Sequence, residues 1–147
     1  IYVPIRTSEA TWRGGLRDGD GEMALGSGSW RGSYSFRSRF RDDEPARSTP
    51  EELIAAGHAG WFSLSLANNL EAEGYEPERV YTTADCHLEM RDDQGPTITR
   101  IELTAEVTVP EIRDAEFQEI AEDAKTNCPV SRALSSVDIA LDASVET

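Results

Sequence analysis

From Leu53 to Asn69 the chain runs seventeen residues without an Asp, Glu, Lys or Arg, although 29% of all its residues are charged. Start signals for a helix stand just before this run. Thr49 suits the cap, Pro50 the first helical position, and Glu52 follows Thr49 by three residues as in a capping box. Gly74 offers a stop just after Ala72, where a left-handed residue closes a helix. Between Leu53 and Leu66 the helix is apolar on nearly every side, which predicts a central buried helix rather than a surface one. The run is short for a membrane span and is interrupted by Gly, Ser and His58. Whatever this chain folds into must cover that helix.

The rest of the sequence supplies strands to cover it. Turn clusters at Arg17–Gly21 and Gly26–Gly28 separate strand-like runs at about Glu9–Leu16, Glu22–Leu25 and Gly32–Phe40. A charged loop, Arg41 to Arg47, leads into the helix. Beyond it, Val80–Met90 alternates, with Val80, Thr82, Ala84, Cys86, Leu88 and Met90 on one face. After the turn at Asp92–Pro96, Ile101, Leu103, Ala105, Val107 and Val109 alternate with Glu102, Thr104 and Glu106. A second helix spans about Ala115–Thr126 with an apolar stripe of Phe117, Ile120, Ala121 and Ala124, and a short third begins at Pro129. A last strand places Val137, Ile139, Leu141, Ala143 and Val145 inward. The order βββ-α-ββ-αα-β predicts an α+β protein with antiparallel sheet wrapped on a central helix. With no repeat, linker or composition shift, residues 1–147 are expected to form a single domain. A chain of this length buries ~68–70% of its unfolded surface.

Charge narrows the partners. Thirteen arginines and one lysine, Lys125, face 28 acids, for a net charge of −14. Nucleic acid and anionic membrane would both be repelled. Low hydrophobicity with high charge is also the mark of disorder, but the apolar periodicities are too regular for it. No basic segment followed by an apolar one stands at the N-terminus, so a cytoplasmic protein is expected. Two cysteines, Cys86 and Cys128, do not make a disulfide framework and suit a reducing compartment. Catalytic triads, zinc ligand sets, phosphate loops and dinucleotide fingerprints are absent from the sequence, and neither cofactor nor metal is expected.

Five residues invite a chemical reading. Cys128 precedes Pro129 and so sits at or beside a helix N-cap, where free N–H groups and the dipole favour a thiolate. The same position also suits a small, half-buried turn residue. Cys86 lies among Ala84, Leu88 and Met90 on the inward strand face, where a structural thiol is expected. His58 shares a helix face with Trp61 but has no second ligand-type residue at a useful spacing. His87, on the polar strand face, has no recognisable partner in sequence. An acid at Glu51, in a first helical turn, is expected from the dipole alone.

Two segments together, Ser48-Thr-Pro-Glu-Glu-Leu-Ile-Ala-Ala-Gly-His-Ala-Gly-Trp-Phe-Ser-Leu-Ser-Leu66 and Asn127-Cys-Pro-Val-Ser-Arg-Ala-Leu134, resemble the paired signatures of the OsmC/Ohr family of thiol-dependent organic hydroperoxide reductases. Ile98–Leu103 and Val107–Pro110 are similar to the family as well, and the likeness extends from about Trp12 to Val145. Ser38-Arg-Phe40 and His58-Ala-Gly60 place it nearer the OsmC branch. The resemblance implies an OsmC-like fold, an intertwined homodimer with sites at its interface, a small organic hydroperoxide as substrate and an external dithiol as reductant. It assigns catalytic roles to Cys128 as the resolving thiol, to Arg39 as the group over the peroxide, and to Glu51 as the acid that orients Arg39. A guanidinium beside a thiol favours the thiolate and polarises the O–O bond. Without the resemblance, Arg39 reads as one more surface ion-pair partner, with Arg37 and Arg41 close by in register. Glu51 and position 61 are ten residues apart, about 15 Å along a continuous helix, so they cannot meet within it.

The family's attacking cysteine is replaced here by Trp61. An indole offers one N–H donor and no nucleophile, and its bulk fills space that a cysteine leaves open. Three functions stay open on this reading. The protein has lost the two-cysteine peroxidase cycle and kept the dimeric fold; or Cys128 works alone as a one-cysteine peroxidase beside Arg39 and Glu51; or an aromatic cleft near Trp61 and Trp30 binds an apolar ligand.

Overall fold

The computed structural model of the chain describes residues 1–39 and 47–147, with the side chain of Arg39 outside that description. The described chain divides into two compact units, residues 1–52 and 53–147. The expected loop Arg41–Arg47 lies outside the described residues except for Arg47 itself.

The first unit is an antiparallel meander of β1 (Ser8–Arg13), β2 (Asp20–Leu25) and β3 (Arg31–Tyr34). Gly21 sits between Trp12 of β1 and Tyr34 of β3 in register. Their rings close over it, with centroids 5.5 Å apart, and a Cβ on Gly21 would come within 2.7 Å of both. Glycine is what lets an aromatic from each neighbouring strand lie over the middle one. β1 stops at Arg13 rather than continuing to Leu16, because Gly14 turns the backbone with φ of +92° and Gly19 N–H closes the loop onto the Gly15 carbonyl at 2.8 Å. β3 is likewise shorter than the alternation to Phe40 predicts. Ser35 and Ser38 each donate a backbone N–H to the other's hydroxyl, at 3.0 and 3.1 Å, and this diverts the chain into a 3-10 turn at Arg37–Arg39.

Helix α1 (Pro50–Ala72) starts as its sequence predicts. Thr49 N–H donates to the Glu52 carboxylate at 2.8 Å while Glu52 N–H donates to Thr49 Oγ1 at 3.1 Å, a reciprocal capping box. It ends with Gly74 N–H on the Glu71 carbonyl and Tyr75 N–H on that of Leu70, the paired bonds of a Schellman stop, with Gly74 at φ of +88°.

The second unit holds β4 (Arg79–Arg91), β5 (Gly95–Thr108), α2 (Asp114–Asn127), α3 (Pro129–Ala133) and β6 (Asp138–Glu146). Its sheet runs β4-β5-β6. β4 and β5 form the expected antiparallel hairpin, but β6 joins parallel to β5, which corrects the expectation of purely antiparallel sheet. Parallel pairing needs a long crossover, and α2 with α3 supplies it. Central β5 contributes the deepest residues: Ile101, Leu103, Ala105 and Val107 are buried along one face. The predicted stripe of α2, Phe117, Ile120, Ala121 and Ala124, meets them. From α1, Phe62, Leu66 and Leu70 complete the core, with Ala84 and Cys86 of β4 packed at its edge. Met90, predicted to face inward, is exposed at the end of β4.

In α1 the burial is one-sided. His58, Phe62, Leu66 and Leu70 form a buried stripe at spacings of four, while Trp61 and Leu64 are 45% and 57% exposed. The apolar sequence predicts cover on every side, and among the described residues it is provided on one.

Candidate functional site

Cys128 stands where two helices meet. It caps the C-terminus of α2, its N–H bonded to the Ala124 carbonyl at 3.0 Å, and it opens α3, its carbonyl accepting from Arg132 N–H at 3.0 Å. Sequence reasoning saw only the second role. The carbonyl end of fourteen-residue α2 and the amide end of five-residue α3 converge here, and their partial charges offset each other. The side chain makes no cap hydrogen bond, and the residue is fully buried.

Ser131 lies three residues on, so it shares a face of α3 with Cys128. Its hydroxyl is hydrogen-bonded to Nε2 of His58 at 2.8 Å, both groups buried. This bond ties α3 to α1 on the stripe that continues into Phe62. Among the described residues His58 Nδ1 is buried without a partner, and burial pushes the imidazole below its ordinary pKa of 6.5. A hydroxyl and an imidazole at 2.8 Å have the spacing of nucleophile and base, but such a dyad needs a third group to orient the base and a route for substrate. With Nδ1 orphaned and both groups buried, the pair serves as a polar staple. In the linear sequence His58 stands out little and Ser131 not at all. The one available signal was a serine three residues after the helix-capping cysteine.

One turn further along α1, Ser63 Oγ donates to the Ala59 carbonyl at 2.8 Å and lies 2.7 Å from Thr82 Oγ1 of β4. Trp61 is on the exposed side of the helix. Cys86 is half-buried on the β4 face that borders the core, as its alternation predicts.

Glu51 is half-buried in the first turn of α1 and belongs to the unit 1–52, as does the 3-10 turn that carries Arg39. The side chain of Arg39 lies outside the described residues. Trp61, His58 and Cys128 belong to the unit 53–147. Trp30 packs within its own unit, its ring over Gly32, where a Cβ would come within 2.3 Å of it. His87 acquires a partner that sequence could not show: Glu102 Oε1, on the neighbouring strand, is 3.5 Å from its Nε2. The same carboxylate accepts from Arg100 Nε at 2.7 Å, which is the main cause raising the Arg100 pKa, and Arg100 also reaches on to Asp138 at 2.6 Å. Glu102 enters that position through the strand register, which is invisible in a linear reading. No described helix is long and apolar enough to cross a membrane.

The sequence pattern of the OsmC-like protein family matches residues 42–142, which span both the α1 segment and the Cys128 segment. This chain belongs to that family. Peroxiredoxin OsmC of Escherichia coli is 38% identical over 138 residues, covering 93% of this chain and 94% of that protein. Among solved structures, an OsmC-like protein of unknown function from Vibrio cholerae superimposes with a TM-score of 0.77 at 14% identity, covering 97% of this chain and all of that one. An organic hydroperoxide resistance protein OsmC from Legionella pneumophila gives 0.72 at 21% identity, again over 97% of this chain and all of its own. At these identities the two structures speak for the OsmC fold alone. The relative from E. coli carries the family assignment through sequence.

Proposed function

We propose that this OsmC-family protein belongs to the peroxide-stress response, that it does not run the family's two-cysteine hydroperoxide cycle, and that it works as a homodimer. What supports this is Trp61, which stands where the family resemblance expects the attacking cysteine, together with the full burial of Cys128. In the cycle, a thiolate attacks the distal peroxide oxygen, the O–O bond breaks, an alcohol leaves and the sulfur becomes a sulfenic acid. A second thiol then displaces water to form a disulfide, which an external dithiol reduces. Trp61 supports none of these steps. Cys86, half-buried on β4 at the edge of the core, is no substitute. A one-cysteine route through Cys128 requires an accessible thiolate, and burial opposes it.

The exposed Trp61 and Leu64 argue for the dimer. Large apolar side chains adjacent on one helix face are costly to leave in water, and a second copy of the same face would cover them. A bound apolar ligand is the competing occupant. The deciding assay is consumption of tert-butyl hydroperoxide with dithiothreitol by the native protein and by Trp61→Cys. The expected result is no turnover above the buffer rate by the native protein and clear turnover by the variant. Native turnover that Cys128→Ser abolishes would transfer the function to a one-cysteine mechanism. Mass measurement under native conditions checks the dimer, and a co-purified small molecule would favour the ligand instead.

A further inference from the structure

Charge is distributed unevenly along this chain. Residues 1–52 hold eight arginines against nine acids, whereas residues 53–147 hold six basic residues against nineteen acids. A small anion is repelled strongly by the second unit and hardly at all by the first. Within the first unit, three of the eight arginines converge on one cleft of about 410 Å³, lined by Arg17, Asp18, Asp20, Ser35, Arg37 and Arg47. That volume lies within the range of small-molecule sites.

Two of the three guanidinium groups are already held in place. Arg47 is ion-paired with Asp20, and Arg17 lies over the ring of Phe36 at 5.8 Å from its centroid. The turn that carries Arg17 is tight, since a Cβ on Gly19 would come within 2.2 Å of the Gly15 carbonyl oxygen. Arg37 projects from the 3-10 turn that the Ser35–Ser38 bonds lock, and among the described residues it makes no ion pair. Asp18 lines the same cleft and is also unpaired among the described residues. A surface that used its arginines only for ion pairing would join these two. Instead a guanidinium and a carboxylate border one cleft without touching, and the cationic side has the surplus.

We infer that this cleft binds the carboxylate group of a small organic acid, with Arg37 as its principal contact and Arg17 beside it. A guanidinium fork matches a carboxylate through two parallel N–H bonds. The charge count favours carboxylate over phosphate. Three guanidiniums against the carboxylates of Asp18 and Asp20 leave the lining a surplus of a single positive charge, which balances a monoanion and leaves the second charge of a dianion uncompensated.

The test is a titration of the native protein with acetate, followed by backbone amide chemical shifts, at low ionic strength balanced against sodium chloride. Acetamide serves as the neutral isostere and inorganic phosphate as the dianion. Acetate should give saturating shifts confined to residues 14–20 and 35–38, and acetamide none. Arg37→Gln, at an exposed position, should weaken acetate by about tenfold or more, the loss expected for a hydrogen bond to a charged group. Asp18→Asn should tighten it by severalfold. The inference is overturned if chloride reproduces the shifts, if phosphate binds more tightly than acetate, or if Arg37→Gln leaves the affinity unchanged. Hydroperoxide turnover enters none of these readouts, so the cleft and the proposed function stand or fall separately.

Discussion

The two units of this OsmC-family chain are stabilised by different means. Residues 53–147 contain the whole of a fourteen-residue buried apolar cluster, whereas in residues 1–52 Ala24 is the one buried hydrophobic among the described residues. The larger unit carries nearly all of the net negative charge and tolerates it because β5, α2 and one stripe of α1 bury enough apolar surface to offset self-repulsion. The smaller unit is close to neutral and rests on backbone pairing, the Trp12–Tyr34 contact over Gly21 and the Ser35–Ser38 exchange. Charge density can be high where the core is deep, and thin structure goes with balanced charge.

Truncation tests that contrast most directly. Phe62 is fully buried, and Phe62→Ala should cost about 3–5 kcal/mol in urea unfolding, as large-to-small core changes do. Trp12 is half-buried, and Trp12→Ala should cost about 1–2 kcal/mol, the aromatic pairing plus modest area. Equal losses would show that the meander shares in the main core and would break the comparison.

The same contrast explains what could be read from sequence. Elements whose apolar pattern is satisfied inside the larger unit were legible: the alternation at Ile101–Val109 and the stripe from Phe117 to Ala124; so were the local capping signals of Thr49 and Gly74 at the two ends of α1. The ends of β1 and β3 were not, because Gly14 and the Ser35–Ser38 bonds override strand alternation with local turn chemistry. The parallel entry of β6 was invisible because alternation gives no direction. Positions 61 and 128 are marked by the family-like motifs, but the depth of Cys128 and its double capping role depend on α2 ending where α3 begins. His58 and Ser131 are 73 residues apart in sequence, and only folding pairs them.

That pair sharpens the comparison on the side of the deep core. Ser131→Ala leaves both imidazole nitrogens of His58 buried and unpaired, and about 1–3 kcal/mol should be lost. Replacing both partners, as His58→Phe with Ser131→Ala, should restore most of it, since an apolar pair of similar shape leaves no polar group stranded. The pH dependence has a definite sign. Burial lowers the folded pKa of His58 below 6.5, so above 6.5 both folded and unfolded chains hold it neutral and its contribution is constant. As the pH falls from 6.5 through the lowered folded value, the unfolded chain takes up the proton first, and stability declines. Urea midpoints across this window should fall in the native protein and flatten in the double variant. An unchanged slope there would assign the effect to other groups.

The smallest effect bears on the boundary itself, which falls within the first turn of α1. Thr49 and Glu52 cap the helix from the last residues of the first unit, while Phe62, Leu66 and Leu70 hold it from within the second. Thr49→Ala removes the cap and should cost about 1 kcal/mol. Where that loss appears is more informative than its size. If burial holds the helix, amide exchange should quicken in the first turn, near Leu53, and stay unchanged at Phe62–Leu70, because the buried stripe opens only with the core. Faster exchange along the whole helix would mean that the cap supports the core from outside it. The two regions would then unfold as one, with α1 as the element that joins their stabilities.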